Sequence, residues 1–129
     1  MLIVSIVGAA LAAALHVYIF WMESLAWRGP RARATFGPAT DAEVEATAPL
    51  ALNQGFYNLF LSVTTVIGIV FALASSSGIG EALILVGTGS MLAAALVLFF
   101  SNPGKRRAAI TQGLFPLIAV VATVLALAV

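Results

Sequence analysis

Apolar residues fall in four long blocks, and the polar positions that interrupt them are few. The blocks cover residues 2–27, 48–74, 79–100 and 108–129. At about 1.5 Å of rise per residue, a run of about 20 residues crosses the roughly 30 Å of hydrocarbon in a bilayer. The pattern therefore predicts an all-α fold, a bundle of four transmembrane helices arranged as two tandem helical hairpins in a single transmembrane domain, 1–129. Short polar turns at 75–78 and 101–107 and one long polar connection, 28–47, separate the blocks. In that connection Gly29-Pro30 and Gly37-Pro38 act as breaks. Thr40-Asp41-Ala42-Glu43 fits a capping box, which predicts a short surface helix over about 41–46 with Asp41, Glu43 and Glu45 on a solvated face. Thr47 is expected to cap the second span, with Pro49 in its first turn. The first block has no Lys or Arg before Arg28. It lacks the basic start of a secretory signal and reads as a retained helix.

Composition agrees with a membrane protein. Hydrophobic residues make up 62% and charged residues 9% of the chain, against roughly half and a quarter in soluble domains. The absence of cysteine excludes disulfides, thiolate metal sites and a cysteine nucleophile within this chain. Charge matters through its placement. All six basic residues, Arg28, Arg31, Arg33, Lys105, Arg106 and Arg107, lie in the first and third connections. The positive-inside rule makes that side cytoplasmic and sends both termini outward. Trp21, Trp27, Phe99 and Phe100 then sit near the cytoplasmic boundary, where an aromatic belt is expected.

The polar residues inside the spans are the candidate chemistry, because hydrocarbon offers no water to satisfy them. At 100° per residue, Ser5, Ala9, Ala12, His16, Phe20 and Glu23 share one face of the first helix. On the second helix Asn53, Tyr57 and Thr64 make one stripe and Gln54, Asn58 and Thr65 an adjoining one, leaving Phe56, Leu59, Phe60, Val63 and Val70 to face lipid. Counted from the cytoplasmic ends, Glu23, Asn53, Gln54 and Gln112 lie within roughly 8 Å, and His16, Tyr57 and Asn58 at roughly 12–16 Å. Pro116 lacks an N–H and frees the carbonyl of Gln112. These groups are expected to form one cluster between helices 1, 2 and 4. Helix 3 carries Gly80, Gly87 and Ala94 at intervals of seven, with Met91 alongside, a smooth stripe suited to close packing. Glu81 is expected to be hydrated near the outer interface. Leu52-Asn-Gln-Gly-Phe-Tyr and Ile110-Thr-Gln-Gly-Leu-Phe form a weak internal repeat at the starts of the two outward-running helices.

Several chemistries are excluded or left without support. One histidine cannot build a His-rich metal site, and no metal or cofactor is expected. No Asp lies within a span to complete a Ser-His-Asp triad, and there is no phosphate-binding glycine loop. Nucleic-acid recognition has no motif and too little basic surface.

The combination of His16-x3-Phe20-x2-Glu23, Asn53-Gln-Gly-x-Tyr57-Asn58 and Gln112-Gly113 resembles the small four-span bacterial membrane proteins known as domain of unknown function 1304. The resemblance covers nearly the whole chain. It implies the architecture, a shared polar cluster and a bacterial plasma membrane location, and it implies no activity. At fold level only, the organisation is similar to DoxX-like membrane proteins, which transfers no function.

The leading expectation is a protein that binds or transports a small amphipathic molecule in a polar pocket open to the cytoplasmic leaflet. His16 and Glu23 would exchange protons, and Asn53, Gln54, Tyr57, Asn58 and Gln112 would contribute to the pocket. A four-helix protomer is small for a permeation path, so a homodimer is expected with it. The alternative is an intramembrane enzyme on a lipid, quinone or isoprenoid, with His16 as acid/base, Glu23 orienting it and Tyr57 as proton donor. A third reading is an accessory subunit that docks through the Gly80–Gly87–Ala94 stripe.

Overall fold

The computed structural model describes residues 1–74 and 77–128, and every element in them is helical. Helix α1, Leu2–Phe20, continues without a break into a π-helical turn, Trp21–Leu25. A short helix α2, Pro30–Phe36, leads to α3, Asp41–Leu73. The expected turn at 75–78 falls in part on residues 75 and 76, outside the described residues. Helix α4 spans Ser77–Ser101, and a single 3₁₀ turn, Pro103–Lys105, precedes α5, Arg106–Leu127. Four of these helices are long and apolar enough to cross a membrane, and the chain is a multi-pass membrane protein.

The connection between the first two spans is more ordered than its composition suggests. Gly37 ends α2 at a φ of +104°, a conformation natural to glycine, and Pro38 follows it. Thr40 and Glu43 form the expected capping box, but the helix it starts does not stop near residue 46. It runs on through Pro49 as one helix of 33 residues, roughly 50 Å long. A proline inside a helix loses the bond to the carbonyl four residues earlier, here Glu45, and its ring crowds that carbonyl, a cost confined here to the polar end of α3. Thr47 therefore caps nothing; its hydroxyl donates back to the Glu43 carbonyl at 2.7 Å. Two of the acids read as a solvated face tie the connection down. Glu45 takes both guanidinium bonds of Arg28, at 2.6 and 2.8 Å, and Asp41 pairs with Arg33. The Glu45 carboxylate holds the Arg28 guanidinium above its usual range.

Around the bundle the order is α1–α3–α4–α5, each helix packing on two neighbours, with α1 and α4 barely touching across the centre. The half that carries the termini is tightly closed by small residues. Apolar side chains gain little by leaving lipid for protein, so helices hold together there through close packing and interhelical hydrogen bonds. Ala9, Ala72, Ile84 and Ala119 form the core cluster, and the Ser5 and Thr123 hydroxyls bond between α1 and α5. A methyl group at Gly68 would lie 2.7 Å from the Ile84 nitrogen, and one at Gly80 would overlap the Ala72 backbone. Gly80 and Gly87 thus seat α4 on α3, with Gly87 against Thr65, while Ala94 points elsewhere. This overturns the docking face expected of that stripe, because its two glycines are already covered within the chain. Glu81, expected to be hydrated, is only 9% exposed. It lies one residue from Gly80 on the face α4 turns inward. The opposite half, where the basic connections lie, is looser and contains the cavity.

Candidate functional site

The geometry of the site begins with the π-helical turn. At Trp21–Leu25 the backbone widens, and the Ala26 N–H reaches back to the Trp21 carbonyl at 2.9 Å. The turn ends the first span, a usual place for a π-turn, and it contains Glu23. The wider turn presses on α3, where only a glycine fits. A side chain at Gly55 would collide with the Ser24 hydroxyl and lie 3.1 Å from both Glu23 Cβ and the Phe20 carbonyl. The Ser24 hydroxyl then donates to the Leu52 carbonyl at 2.9 Å. Glu23 is held one turn deeper, where Asn58 Nδ2 donates to its Oε2 at 2.8 Å. Ser62, fully buried on the next turn of α3, donates toward the carbonyls of Ala13 and Asn58.

His16 sits above this pair at 2% exposure. Its Nδ1 lies 2.9 Å from the Ala12 carbonyl. A carbonyl only accepts, so Nδ1 carries the proton. Nε2 bonds to no described residue. Every fully enclosed polar side-chain atom among the described residues has a partner, so Nε2 must open onto space, and His16 lines the cavity.

That cavity has a volume of about 910 Å³, within the range of small-molecule sites. His16, Glu23, Asn58, Asn53, Gln54 and Gln112 all line it. Helix α4 contributes the apolar wall of Ala94 and Leu98, and α3 adds Leu50 and Ala51. The connection forms its roof with Trp27, Ala32, Phe36, Pro38 and Val44, and Arg33, Glu43 and Lys105 supply charges at the rim. Trp27 fixes the roof to α3 by donating to the Val44 carbonyl and the Thr47 hydroxyl, both at 3.2 Å, and its ring packs on Phe36. The cavity is open at its side. Leu50 lines it yet is 72% exposed, and Asn53, Gln54 and Ala94 are likewise exposed.

Six of the seven expected residues therefore surround one space, and Tyr57 does not. It is 56% exposed on the outer surface of α3, edge-on to Phe60. The helical stripe that paired it with Asn53 is real but straddles the boundary between the cavity and the bundle exterior. Glu23 does not orient His16 either, because the Nδ1 bond goes to Ala12 and the carboxylate is held by Asn58. The catalytic arrangement expected of His16, Glu23 and Tyr57 is thereby corrected on two counts.

The roof leaves no trace in the pattern of polar and apolar positions. Trp27 reads as an interfacial anchor, and Arg33 and Lys105 read as orientation signals; nothing in their spacing points inward. Ser62 lies four residues beyond Asn58 on the same stripe, and that spacing is the signal that points to it. The paired Gln-Gly segments occupy corresponding places. Gln54 and Gln112 both line the cavity, while Gly55 meets the turn after α1 and Gly113 meets Ala95 of α4.

A family model described as a protein of unknown function, DUF1304, matches residues 10–124. No curated protein and no solved structure matches the chain.

Proposed function

We propose, for a chain that belongs to the DUF1304 family of unknown function, that it binds a small amphipathic molecule in the cavity and carries it within or across the membrane. The observation that carries this reading is the 2%-exposed His16 with Nε2 open to a space of about 910 Å³. Packing does not require an imidazole inside a bundle, and ionisable groups within spans are costly. The apolar wall suits a hydrocarbon tail and the amides suit a polar head. Following the distribution of Lys and Arg, the cavity lies in the cytoplasmic half of a bacterial plasma membrane, with both termini outside. Its exposed side, at Leu50, Gln54 and Ala94, then faces the inner leaflet and admits the ligand from the bilayer.

Native mass spectrometry of protein released from membranes in mild detergent tests this reading. Wild type is expected to retain a small molecule that His16→Ala and Glu23→Gln lose, with the fold of each variant intact by thermal melting. If wild type retains nothing and melts at the same temperature as both variants, the polar residues are interhelical glue and the reading falls.

A further inference from the structure

Asn53, Gln54 and Gln112 bring carboxamides that can both donate and accept, but the groups bonded around Glu23 and His16 show an imbalance once each is followed to its partner. Asn58 spends both amide hydrogens, on Glu23 at 2.8 Å and on the Gln54 carbonyl at 3.3 Å, leaving its Oδ1 as an acceptor. His16 spends its Nδ1 hydrogen on Ala12, leaving the lone pair of Nε2. Ser62 spends its hydroxyl hydrogen on backbone carbonyls. Glu23 receives one hydrogen bond on Oε2, and Oε1 has no partner among the described residues. The groups left open at the inner end are thus acceptors: His16 Nε2, Glu23 Oε1 and Asn58 Oδ1. Neither described salt bridge involves Glu23. Arg33, a cation at the rim, is already paired with Asp41. A carboxyl inside a membrane span is neutral unless a counter-charge accompanies its ionised form.

We infer that the cavity binds a lipophilic amine as its ammonium ion, with Glu23, His16 and Asn58 accepting its N–H bonds. This deepens the binding reading above and rests on it. A primary ammonium offers three donors and one positive charge, matching three open acceptors and one uncompensated carboxylate. The apolar wall of Leu50, Ala94 and Leu98 receives the hydrocarbon part. An anionic head would be repelled by the Glu23 carboxylate and would find its donors at the Asn53, Gln54 and Gln112 amides and at Lys105 instead.

The test varies the head group on one tail. Protein in lipid nanodiscs, carrying Trp21→Phe so that Trp27 in the cavity roof is the remaining tryptophan, is titrated with nonylamine, nonanol, nonyltrimethylammonium and nonanoate. Empty nanodiscs correct for partitioning. Nonylamine is expected to change Trp27 fluorescence at the lowest concentration, and Glu23→Gln to weaken it by roughly tenfold to a hundredfold, the range for a charge-assisted hydrogen bond. Gln still accepts from Asn58, so that variant keeps the interhelical bond, and thermal melting checks its fold. Equal affinity for nonanol, or for nonyltrimethylammonium, overturns the role of charge or of N–H donation respectively. Tightest binding of nonanoate overturns the amine assignment while leaving a binding cavity. No response to any of the four overturns the amine assignment and, with nothing retained from membranes, the binding reading with it.

Discussion

At the scale of single residues, burial separates groups that look alike in a helical projection. Asn58 and Tyr57 are neighbours in sequence, yet one faces Glu23 and the other faces outward. Asn58→Leu removes an interhelical bond, which is expected to lower stability by about 0.6–2 kcal/mol in detergent unfolding and to abolish ligand retention. Tyr57→Phe is expected to change stability by less than about 0.5 kcal/mol, as exposed substitutions usually do, and to leave retention intact. A loss of ligand on Tyr57→Phe with retention on Asn58→Leu would reverse the assignment of the two positions. His16 is the residue whose chemistry is least replaceable, because its backbone bond to Ala12 fixes which nitrogen faces the cavity.

At the scale of elements, the π-helical turn and α3 shape one another. The turn brings Ser24 and Glu23 against α3, and Gly55 is the position that lets them approach. Gly55→Val places bulk against the Phe20 carbonyl and Glu23 Cβ. Overpacking of this kind costs about 1–3 kcal/mol, and it is expected to separate Glu23 from Asn58. Thermal unfolding should show the loss of stability, and native mass spectrometry should show ligand loss alongside it; ligand retention at wild-type stability would mean the turn has no part in the site. The capping box at Thr40 acts at the other end of α3. By starting the helix at Asp41 it places Glu43, Val44 and Thr47 over the cavity, where a flexible loop would leave the roof unformed.

At the scale of the whole molecule, the bundle is asymmetric along its axis. The half with the termini is closed by Gly, Ala, Ser and Thr contacts, and the half with the basic connections holds the cavity. The proposed orientation assigns the cavity half to the cytoplasmic side, which the absence of native cysteine makes simple to test. In sealed spheroplasts a membrane-impermeant maleimide is expected to label Ala128→Cys and to spare Ala34→Cys until the membrane is permeabilised. The reverse pattern would invert the topology and move the cavity to the outer half.

The number of spans, the capping box, the turn at Gly37 and six of the residues around the cavity were all legible in the chain's pattern of residues. These depend on local period and on the exclusion of polar groups from lipid, both of which are properties of short stretches. Which of the two adjoining stripes faces inward was set by packing between helices, because Tyr57 and Asn58 lie about 100° apart on α3 and only α1 beside Asn58 tells the covered side from the open one. Tertiary structure also decided that α3 passes through Pro49, that the Gly80–Gly87 stripe is consumed within the chain, and that the 28–47 connection closes over the cavity. Each of these outcomes depends on a contact between segments far apart in the chain, and no periodicity within one segment records it.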